Sequence, residues 1–493
     1  MPISEGMQAT VGKVRQQGSV DLTKDIVDSL QLIAGQSYEP AKVEAAKARA
    51  EKVLTDAGRT GAEVRVDAAR SGNAVDLTFQ IQEGRKRVIS EVAVEGTQHV
   101  SDDLVRTQIG LKAGDVLTDV KLNEARRNLY STGAFSLADI EVRDDTEAAT
   151  RLVARLREVR PFEIRYGVLF DTERGPGGIF DIAARNVLGS ARTIGARGRY
   201  DSRLQEVRAF FEQPSLLKLP LKFVNTGFVR REINSTFLTD RAGGSSYLEY
   251  RWRKPYLLNF GYRFEQVHTF ERQPDPIFPF DIRLRIAPLT AGFSRDTRDE
   301  LLDATKGSFT SHIVEWAPSH LGSQLQYAKY FGQYFYYRSL TKPSMVPWSG
   351  QMKSRLVYAA GVRYGIAAGM QGQDLVPSER FFGGGSNSVR GFAQDRLGPL
   401  AGTSPIGGES IFIANNELRF PIYRFVDGVG FADAGNVFER WRDFRVGEIR
   451  YTGGAGLRVR TPYFLFRLDY GLILDRRMGE PRGRLFFGIG QAF

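Results

Sequence analysis

The chain has 493 residues, a length that suits two or three domains, and it contains no cysteine, which excludes disulfides, thiolate nucleophiles and cysteine-ligated metals. The net charge of +11 comes from single arginines without a basic run, which favours arginines that line a pore or meet anionic lipid over a nucleic-acid-binding surface. No apolar run of about 18 residues occurs, which excludes a membrane-spanning helix, whereas the alternating strands of a transmembrane barrel give only a weak hydropathy signal.

Catalytic and metal sites find little support in the sequence. The four histidines are scattered, and no two have the spacing of zinc ligands: His99, His268, His312 and His320. Ser311 and His312 are neighbours without a third partner for a triad. We therefore predict that the chain is not an enzyme and has no cofactor and no metal.

Residues 1–86 carry the pattern of a small α+β module. The predicted elements are, in order, the strand Met7–Gln16, the helix Leu22–Leu30 capped by Asp21, the helix Pro40–Ala57, and the strands Glu63–Ala68 and Ala74–Ile81. No signal peptide precedes the first strand, although an exported protein needs one, so we expect a mature form or a shortened chain.

Residues 87–160 repeat the same order of elements. They are predicted as the strand Arg87–Glu95, the helix Ser101–Ile109 capped by Ser101, the helix Asp119–Ser131, and the strands Leu137–Arg143 and Arg151–Leu156. Gly114 follows Gly35 by 79 residues, and Gly133 follows Gly58 by 75 residues. The sequence therefore predicts an internal repeat of a β-α-α-β-β module.

From residue 161 to residue 493, helical periodicity is lost and short alternating stretches are separated by turn signals. About 16 strands are predicted, an even number that suits a single-chain bacterial barrel, with starts near residues 162, 178, 191, 205, 220, 237, 256, 282, 307, 324, 351, 408, 426, 449, 463 and 483. Asn415, Glu417 and Arg419 alternate with apolar residues, so we expect charges to face the lumen and apolar side chains to face lipid. A soluble β-sandwich also alternates, but charges opposite aromatics favour the barrel.

The segment Arg380–Phe392, with the sequence RFFGGGSNSVRGF, resembles the loop signature of the BamA/TamA superfamily of outer-membrane assembly and translocation barrels. Three further segments resemble motifs of this superfamily in the right order: Asp296–Asp299, Phe431–Phe438 and Gly453–Gly471. The two front modules resemble POTRA domains, which are its periplasmic modules. The resemblance covers essentially the whole chain. It implies α+β POTRA modules followed by an all-β, 16-stranded antiparallel transmembrane barrel in the bacterial outer membrane.

The resemblance also implies that a long loop, at about residues 366–407, folds back into the barrel lumen. The motif at its tip consists of Val389, Arg390, Gly391 and Phe392. The preceding run Gly383–Gly385 is followed neither by Lys-Ser/Thr nor by a helix, so it predicts tight loop turns rather than a phosphate site.

Arg390 needs acidic partners, because an unpaired guanidinium in a confined lumen is costly to desolvate. Glu417 and Asp433 are predicted to point inward on the two strands after the loop, and a guanidinium can bridge two carboxylates. In the superfamily, the matching arginine contacts the aspartate that corresponds to Asp433. Two interpretations stay open: Arg390 only fastens the loop, or it also tunes the opening of the barrel.

The first and last barrel strands are predicted to meet at a lateral seam, formed by residues 162–172 and 485–493. The candidate seam residues are Phe162, Tyr166, Leu485, Phe487, Gly488, Gly490 and Phe493. A terminal phenylalanine resembles the recognition signal of outer-membrane barrels. The two glycines weaken a strand, which suits a seam that opens, or they make room for lumenal side chains.

The resemblance implies an insertase that assembles client β-barrel or autotransporter-type proteins without ATP, by templating their strands at the seam. Its partners would be unfolded outer-membrane proteins, outer-membrane lipid, and periplasmic or inner-membrane accessory proteins, with no nucleic acid.

The alternative is a two-partner secretion pore that exports a protein through the barrel, although such pores usually carry an N-terminal plug helix. A passive porin would lack POTRA modules. The single long loop favours TamA over BamA, and two POTRA modules suggest that upstream domains have been removed.

Overall fold

The computed structural model describes residues 9–18, 23–144, 149–216, 219, 221–253, 255–272, 280–342, 344–345, 352–353, 356–423, 425–461 and 464–489. The predicted helix cap Asp21 and the predicted seam residues Gly490 and Phe493 lie outside the described residues, as do the first residues of the first predicted strand and helix. Within these ranges, no helix is long and apolar enough to cross a membrane. The chain divides into two compact units, one of residues 1–161 with 186–191 and the other of residues 162–185 with 192–493.

Each front module forms a three-stranded sheet with two helices. The first consists of β1 Thr10–Gln17, α1 Thr23–Leu30, α2 Pro40–Asp56, β2 Glu63–Ser71 and β3 Ala74–Gln82. The second consists of β4 Val88–Glu95, α3 Asp102–Ile109, α4 Asp119–Ser131, β5 Phe135–Asp144 and β6 Ala149–Glu158. In each sheet the last strand lies in the middle, parallel to the first strand and antiparallel to the second. The predicted β-α-α-β-β order is confirmed.

The helices cover the sheets because apolar residues recur on one face of each helix. In α2 the buried residues are Val43, Ala46, Ala50 and Leu54. Ser101 caps α3 as predicted, since its side chain accepts the N–H of Leu104 at 3.4 Å. The strand β2 runs three residues beyond its predicted end because Gly72, at φ 64°, makes a tight turn that lets Ser71 pair with Ala74.

Among the described residues, sixteen antiparallel strands close into a barrel, as predicted. They are β7 Phe162–Asp171, β8 Gly175–Val187, β9 Arg192–Tyr200, β10 Leu204–Gln213, β11 Leu221–Ile233, β12 Phe237–Arg253, β13 Tyr256–Glu271, β14 in two parts Asp281–Ile286 and Leu289–Asp296, β15 Gly307–Ala317, β16 Tyr327–Ser339, β17 Val357–Gly369, β18 Ser410–Tyr423, β19 Val426–Phe438, β20 Arg450–Arg460, β21 Leu465–Ile473 and β22 Gly483–Ile489. Both parts of β14 pair with β13, and the break falls at Pro288, which has no N–H for the ladder.

In the part of the chain that the structure describes, three short ladders lie outside these sheets. They pair Arg59–Thr60 with Arg85–Lys86, Ser344–Met345 with Met352–Lys353, and Leu400–Ala401 with Ser404–Pro405. The strand that we predicted from about residue 351 begins only at Val357, because Met352–Lys353 belongs to a separate ladder.

Side chains alternate across the barrel wall. Asn415, Glu417 and Arg419 are buried on the lumenal face of β18, whereas Leu418 and Phe420 are exposed on its outer face. The predicted alternation is therefore confirmed at this strand. The loop between β17 and β18 spans residues 370–409 rather than about 366–407, since strand pairing continues to Gly369 on one side.

Candidate functional site: lumenal loop and strand seam

The tip of the long loop brings a fully buried arginine to the inner face of the barrel. Arg390 is 0% exposed and binds Asp433 through Nε and Nη2, which form one edge of its guanidinium. The Nε–Oδ2 and Nη2–Oδ1 distances are both 2.7 Å, and the backbone N–H of Arg390 donates to the same carboxylate at 3.1 Å. This forked geometry suits a buried charge, because each carboxylate oxygen receives a charged donor.

The second predicted partner lies on the neighbouring strand. Arg390 Nη1 donates to Glu417 Oε1 at 2.5 Å, and Arg419 Nε donates to the other oxygen of Glu417 at 3.0 Å. Asp469 lies 3.5 Å from the guanidinium of Arg390 and also binds Arg458. The structure thus brings together the three residues that the sequence predicts as partners and adds Arg419, Asp469 and Arg458, which the sequence did not predict to join this cluster. Asp469 alternates with apolar neighbours along its strand, and this alternation is the sequence signal from which its lumenal position could have been predicted.

Aromatic and glycine residues shape the wall around this cluster. The ring of Phe431 lies 3.6 Å from the guanidinium carbon of Arg390, a cation–π distance. A Cβ at Gly471 would lie 2.7 Å from the carbonyl carbon of Arg390, and Gly454 leaves similar room for the ring of Phe431. Gly391 has a φ of 108°, which favours glycine. The loop backbone can therefore lie directly against the strands.

The apolar residues of the motif are buried as well. Val389 is 0% exposed, and one of its methyl groups would lie 3.0 Å from a Cβ at Gly435. Phe392 is 4% exposed, and its ring centroid lies 4.9 Å from the guanidinium carbon of Arg450. All four residues of the motif therefore contact or closely face the barrel wall.

The base of the loop has a second ionic anchor on the opposite part of the wall. Glu379 is 3% exposed and accepts from Arg241 of β12 at 2.9 Å. Arg241 also binds Glu265 of β13 at 2.8 Å, and Lys329 donates to the carbonyl of Glu379 at 3.0 Å. Sequence reasoning missed this anchor because a loop has no periodicity from which to infer where Glu379 points.

The first and last strands, β7 and β22, are hydrogen-bonded neighbours in the closed sheet. Phe162 and Tyr166 lie on the outer face of β7 and are 74% and 86% exposed, and Leu485 is 54% exposed on β22. Phe487 packs against Phe170, with ring centroids 5.9 Å apart. Apolar side chains therefore flank the seam on its outer surface.

Gly488 faces the lumen. A Cβ there would lie 3.4 Å from Nη2 of Arg467 and 3.6 Å from Cβ of Asp171. This favours the interpretation in which the glycine makes room for a lumenal side chain. The predicted seam residues Gly490 and Phe493 lie outside the described part of the chain.

Two POTRA-like modules and a 16-stranded antiparallel barrel, with an arginine-tipped loop docked on its inner face, define a class of outer-membrane protein. A family model described as the Omp85 superfamily domain matches residues 186–493. A POTRA model, described as a surface antigen variable number repeat, matches residues 9–84 and 88–158. The chain belongs to the Omp85 superfamily. It is a bacterial outer-membrane barrel whose POTRA domains lie in the periplasm.

Relatives and solved structures agree with this assignment. Outer membrane protein assembly factor BamA of Nitratidesulfovibrio vulgaris is 26% identical over 454 residues, which cover 89% of this chain and 56% of the relative. BamA of Neisseria meningitidis is 20% identical, over 100% of this chain and 68% of the relative. The chain thus spans about half to two thirds of their length.

Two solved structures share the fold. The crystal structure of BamA from Haemophilus ducreyi lacking POTRA domains 1–3 has a TM-score of 0.69 at 17% identity, covering 98% of this chain and 99% of that one. CdiB from Acinetobacter baumannii has a TM-score of 0.58 at 13% identity, covering 99% and 91%. The two relatives above carry the BamA name, and the preference for TamA stays a prediction.

Proposed function

We propose that this chain assembles client β-barrel or autotransporter-type proteins into the bacterial outer membrane by pairing their strands at the seam between β7 and β22. The observation that carries the proposal is the topology of the barrel. Consecutive strands are joined by the chain, whereas no chain connection joins β7 directly to β22. They can therefore separate without unfolding a hairpin, and the exposed edges would pair with a client strand.

The energy for this process comes from the client. A strand in the bilayer must satisfy every backbone N–H and C=O, so an incoming strand gains by pairing with an open edge. Burial of its apolar face in lipid adds a favourable free energy of about 25 cal/mol per Å². The proposal therefore requires no nucleotide and no catalytic residue.

The POTRA domains supply further strand edges. In the first sheet β1 and β2 are the outer strands, and in the second sheet β4 and β5 are. Unfolded clients would add strands there before they reach the barrel, and accessory proteins could use the same edges. Outer-membrane lipid surrounds the apolar outer face of the barrel.

A reversible lock on the seam tests the proposal. Asp171 and Gly488 face each other across it, with Cβ positions 3.6 Å apart, which fits a disulfide. The pair Asp171→Cys and Gly488→Cys, in a chain that has no other cysteine, should block client insertion into liposomes when oxidised. Reduction of the same protein should restore insertion, and the two single variants are matched controls.

The lock also separates the proposal from the alternative. The fold shared with CdiB fits secretion of a protein through the lumen. If a locked barrel still exports a protein but inserts no client, secretion through the lumen would remain consistent with the result. Full client insertion by the oxidised pair would refute assembly at the seam.

A further inference from the structure

The turn between the first two barrel strands binds the lumenal loop. Within this turn, Thr172–Arg174, the carboxylate of Glu173 accepts two backbone N–H groups of the loop. Its Oε2 accepts from Ser386 at 2.9 Å, and its Oε1 accepts from Gln394 at 3.0 Å. Ser386 and Gln394 lie on either side of the loop tip, so one carboxylate accepts hydrogen bonds from both ends of the segment that carries Arg390.

The loop sequence makes room for this carboxylate. Gly385 has a φ of 96°, and a Cβ there would lie 2.6 Å from Oε2 of Glu173. A larger residue would push the carboxylate away from its two donors. The glycine run that we predicted to serve tight turns therefore also admits a side chain from the barrel wall.

The neighbouring residue of the same turn binds the last strand. The N–H of Thr172 donates to the carbonyl of Phe487 at 3.1 Å. The N–H of Phe487 donates in return to Oγ1 of Thr172 at 3.3 Å. Two adjacent residues of one turn thus bind different elements: Glu173 binds the loop, and Thr172 binds β22 on the other side of the seam.

The loop segment is also bonded to both sides of the seam. On the first-strand side, Arg203, in the turn between β9 and β10, donates to Asp395 at 2.9 Å. On the last-strand side, Arg467 of β21 donates to Asn387 at 2.9 Å, next to the Arg390 cluster on β18 and β19. Because the same segment is bonded to both sides, β7 and β22 cannot separate widely until one set of bonds breaks.

The first-strand side is the weaker of the two. Arg390 is fully buried between two carboxylates, whereas Glu173 accepts only neutral backbone donors from the loop and Arg203 is 26% exposed. Burial raises the pKa of the Glu173 carboxyl above its ordinary value, and the nearby Asp171 adds to this effect, which outweighs the loop N–H groups and Arg484. The ionised carboxylate is thus held in an unfavourable environment.

We propose that the loop is a latch across the seam, that Glu173 is its positioning residue on the first-strand side, and that the seam opens when Glu173 releases the loop. The latch rests on the proposed function, in which client strands pair at the open seam. It assigns to the first hairpin a regulatory role that is separate from the Arg390 cluster.

Spin labels at Tyr166→Cys and Leu485→Cys would report the width of the seam in liposomes, since both positions are exposed on the outer faces of β7 and β22. With Glu173→Ala we expect the wide-seam population to rise roughly tenfold, which is about 1.4 kcal/mol in the opening equilibrium. Glu173→Gln keeps one acceptor oxygen and should give an intermediate rise. The control Asp240→Ala removes a carboxylate that binds Arg231 on β11 and should leave the seam unchanged.

Heat-modifiable migration in gels shows which variant barrels are folded. An unchanged seam in folded Glu173→Ala and in folded Arg203→Ala overturns the latch, whatever happens to client insertion. A seam that widens equally in Asp240→Ala also overturns it, because loss of any carboxylate would then loosen the barrel. A seam that widens only in the latch variants supports the latch, and unchanged client insertion in those variants would then count against the proposed function alone.

Discussion

Replacement of Arg390 by alanine removes the centre of the buried cluster at the loop tip. Its guanidinium binds Asp433 at 2.7 Å and Glu417 at 2.5 Å, and neither carboxylate is exposed. Removal of one partner of a buried ion pair typically costs about 3–5 kcal/mol, because the remaining charge is left unpaired. We therefore expect Arg390→Ala to undock the loop tip while the barrel stays folded.

The magnitude follows from the donors that remain. In Arg390→Ala, Asp433 still accepts from Asn415 at 2.9 Å, and Glu417 still accepts from Arg419 at 3.0 Å. Each carboxylate thus keeps at least one partner, and Glu417 also keeps Arg458 at 3.6 Å, which places the loss at the lower end, about 3 kcal/mol. Since 1.4 kcal/mol is tenfold, the docked state should lose roughly 100-fold in population.

Client insertion into liposomes is the assay, with heat-modifiable migration as the measure of an intact barrel. Asp433→Asn should impair insertion to a similar degree, and the double variant should be little worse than either single one, since both remove the same interaction. Arg283→Ala is the matched control, because the side chain of Arg283 is 74% exposed on the outer face of β14. Wild-type insertion by Arg390→Ala, or fully additive defects, would refute the coupling of this pair to function.

The remaining predictions concern the barrel and the POTRA domains. The chain should need detergent or lipid and show heat-modifiable migration, so monodisperse behaviour without detergent would contradict a membrane barrel. Residues 1–159 should fold alone, because each module buries its own helices against its own sheet; a random-coil circular dichroism spectrum would contradict this. Burial alone would raise the pKa of Glu158, but the N–H groups of Gln98, His99 and Val100 hold it below its ordinary value, so its stabilising effect is present above the unfolded pKa and is lost as pH falls. Glu158→Gln should therefore lower the melting temperature of this fragment at about pH 7, and the difference should shrink once the pH falls below the ordinary glutamate pKa of about 4.3 and vanish only below the lowered pKa of the folded state; a gap that does not shrink in acid would count against the carboxylate.

Period-two alternation predicted much of the barrel site. It placed Glu417 and Asp433 on the inner face of the barrel, because the opposite face of each strand must meet lipid. The motif then supplied Arg390 as their partner. Asp469 was available from the same alternation, but nothing in the sequence says that the loop tip reaches β21.

Side chains on loops and turns were beyond sequence reasoning. Glu379 and Glu173 carry two of the loop contacts, and neither lies in a strand, so no periodicity indicates where its side chain points. The break in β14 had a visible signal in Pro288, yet proline alone does not say whether a strand ends or resumes after two residues. Such details depend on which distant segments meet, and a local pattern does not contain that information.

In the proposed latch the loop docks and leaves, and ionic contacts suit such a loop. Release of a purely apolar tip would expose its surface to the water of the lumen, so the full hydrophobic term would oppose that release. The guanidinium of Arg390 and its carboxylates recover hydration when they part, which offsets much of the lost Coulomb attraction. Their forked geometry also tolerates little displacement, so the docked state is held firmly at one position and weakly elsewhere. If the latch operates as proposed, a cluster of this kind, with the weaker Glu173 contact on the opposite side of the seam, should give the loop two distinct states rather than a range of positions.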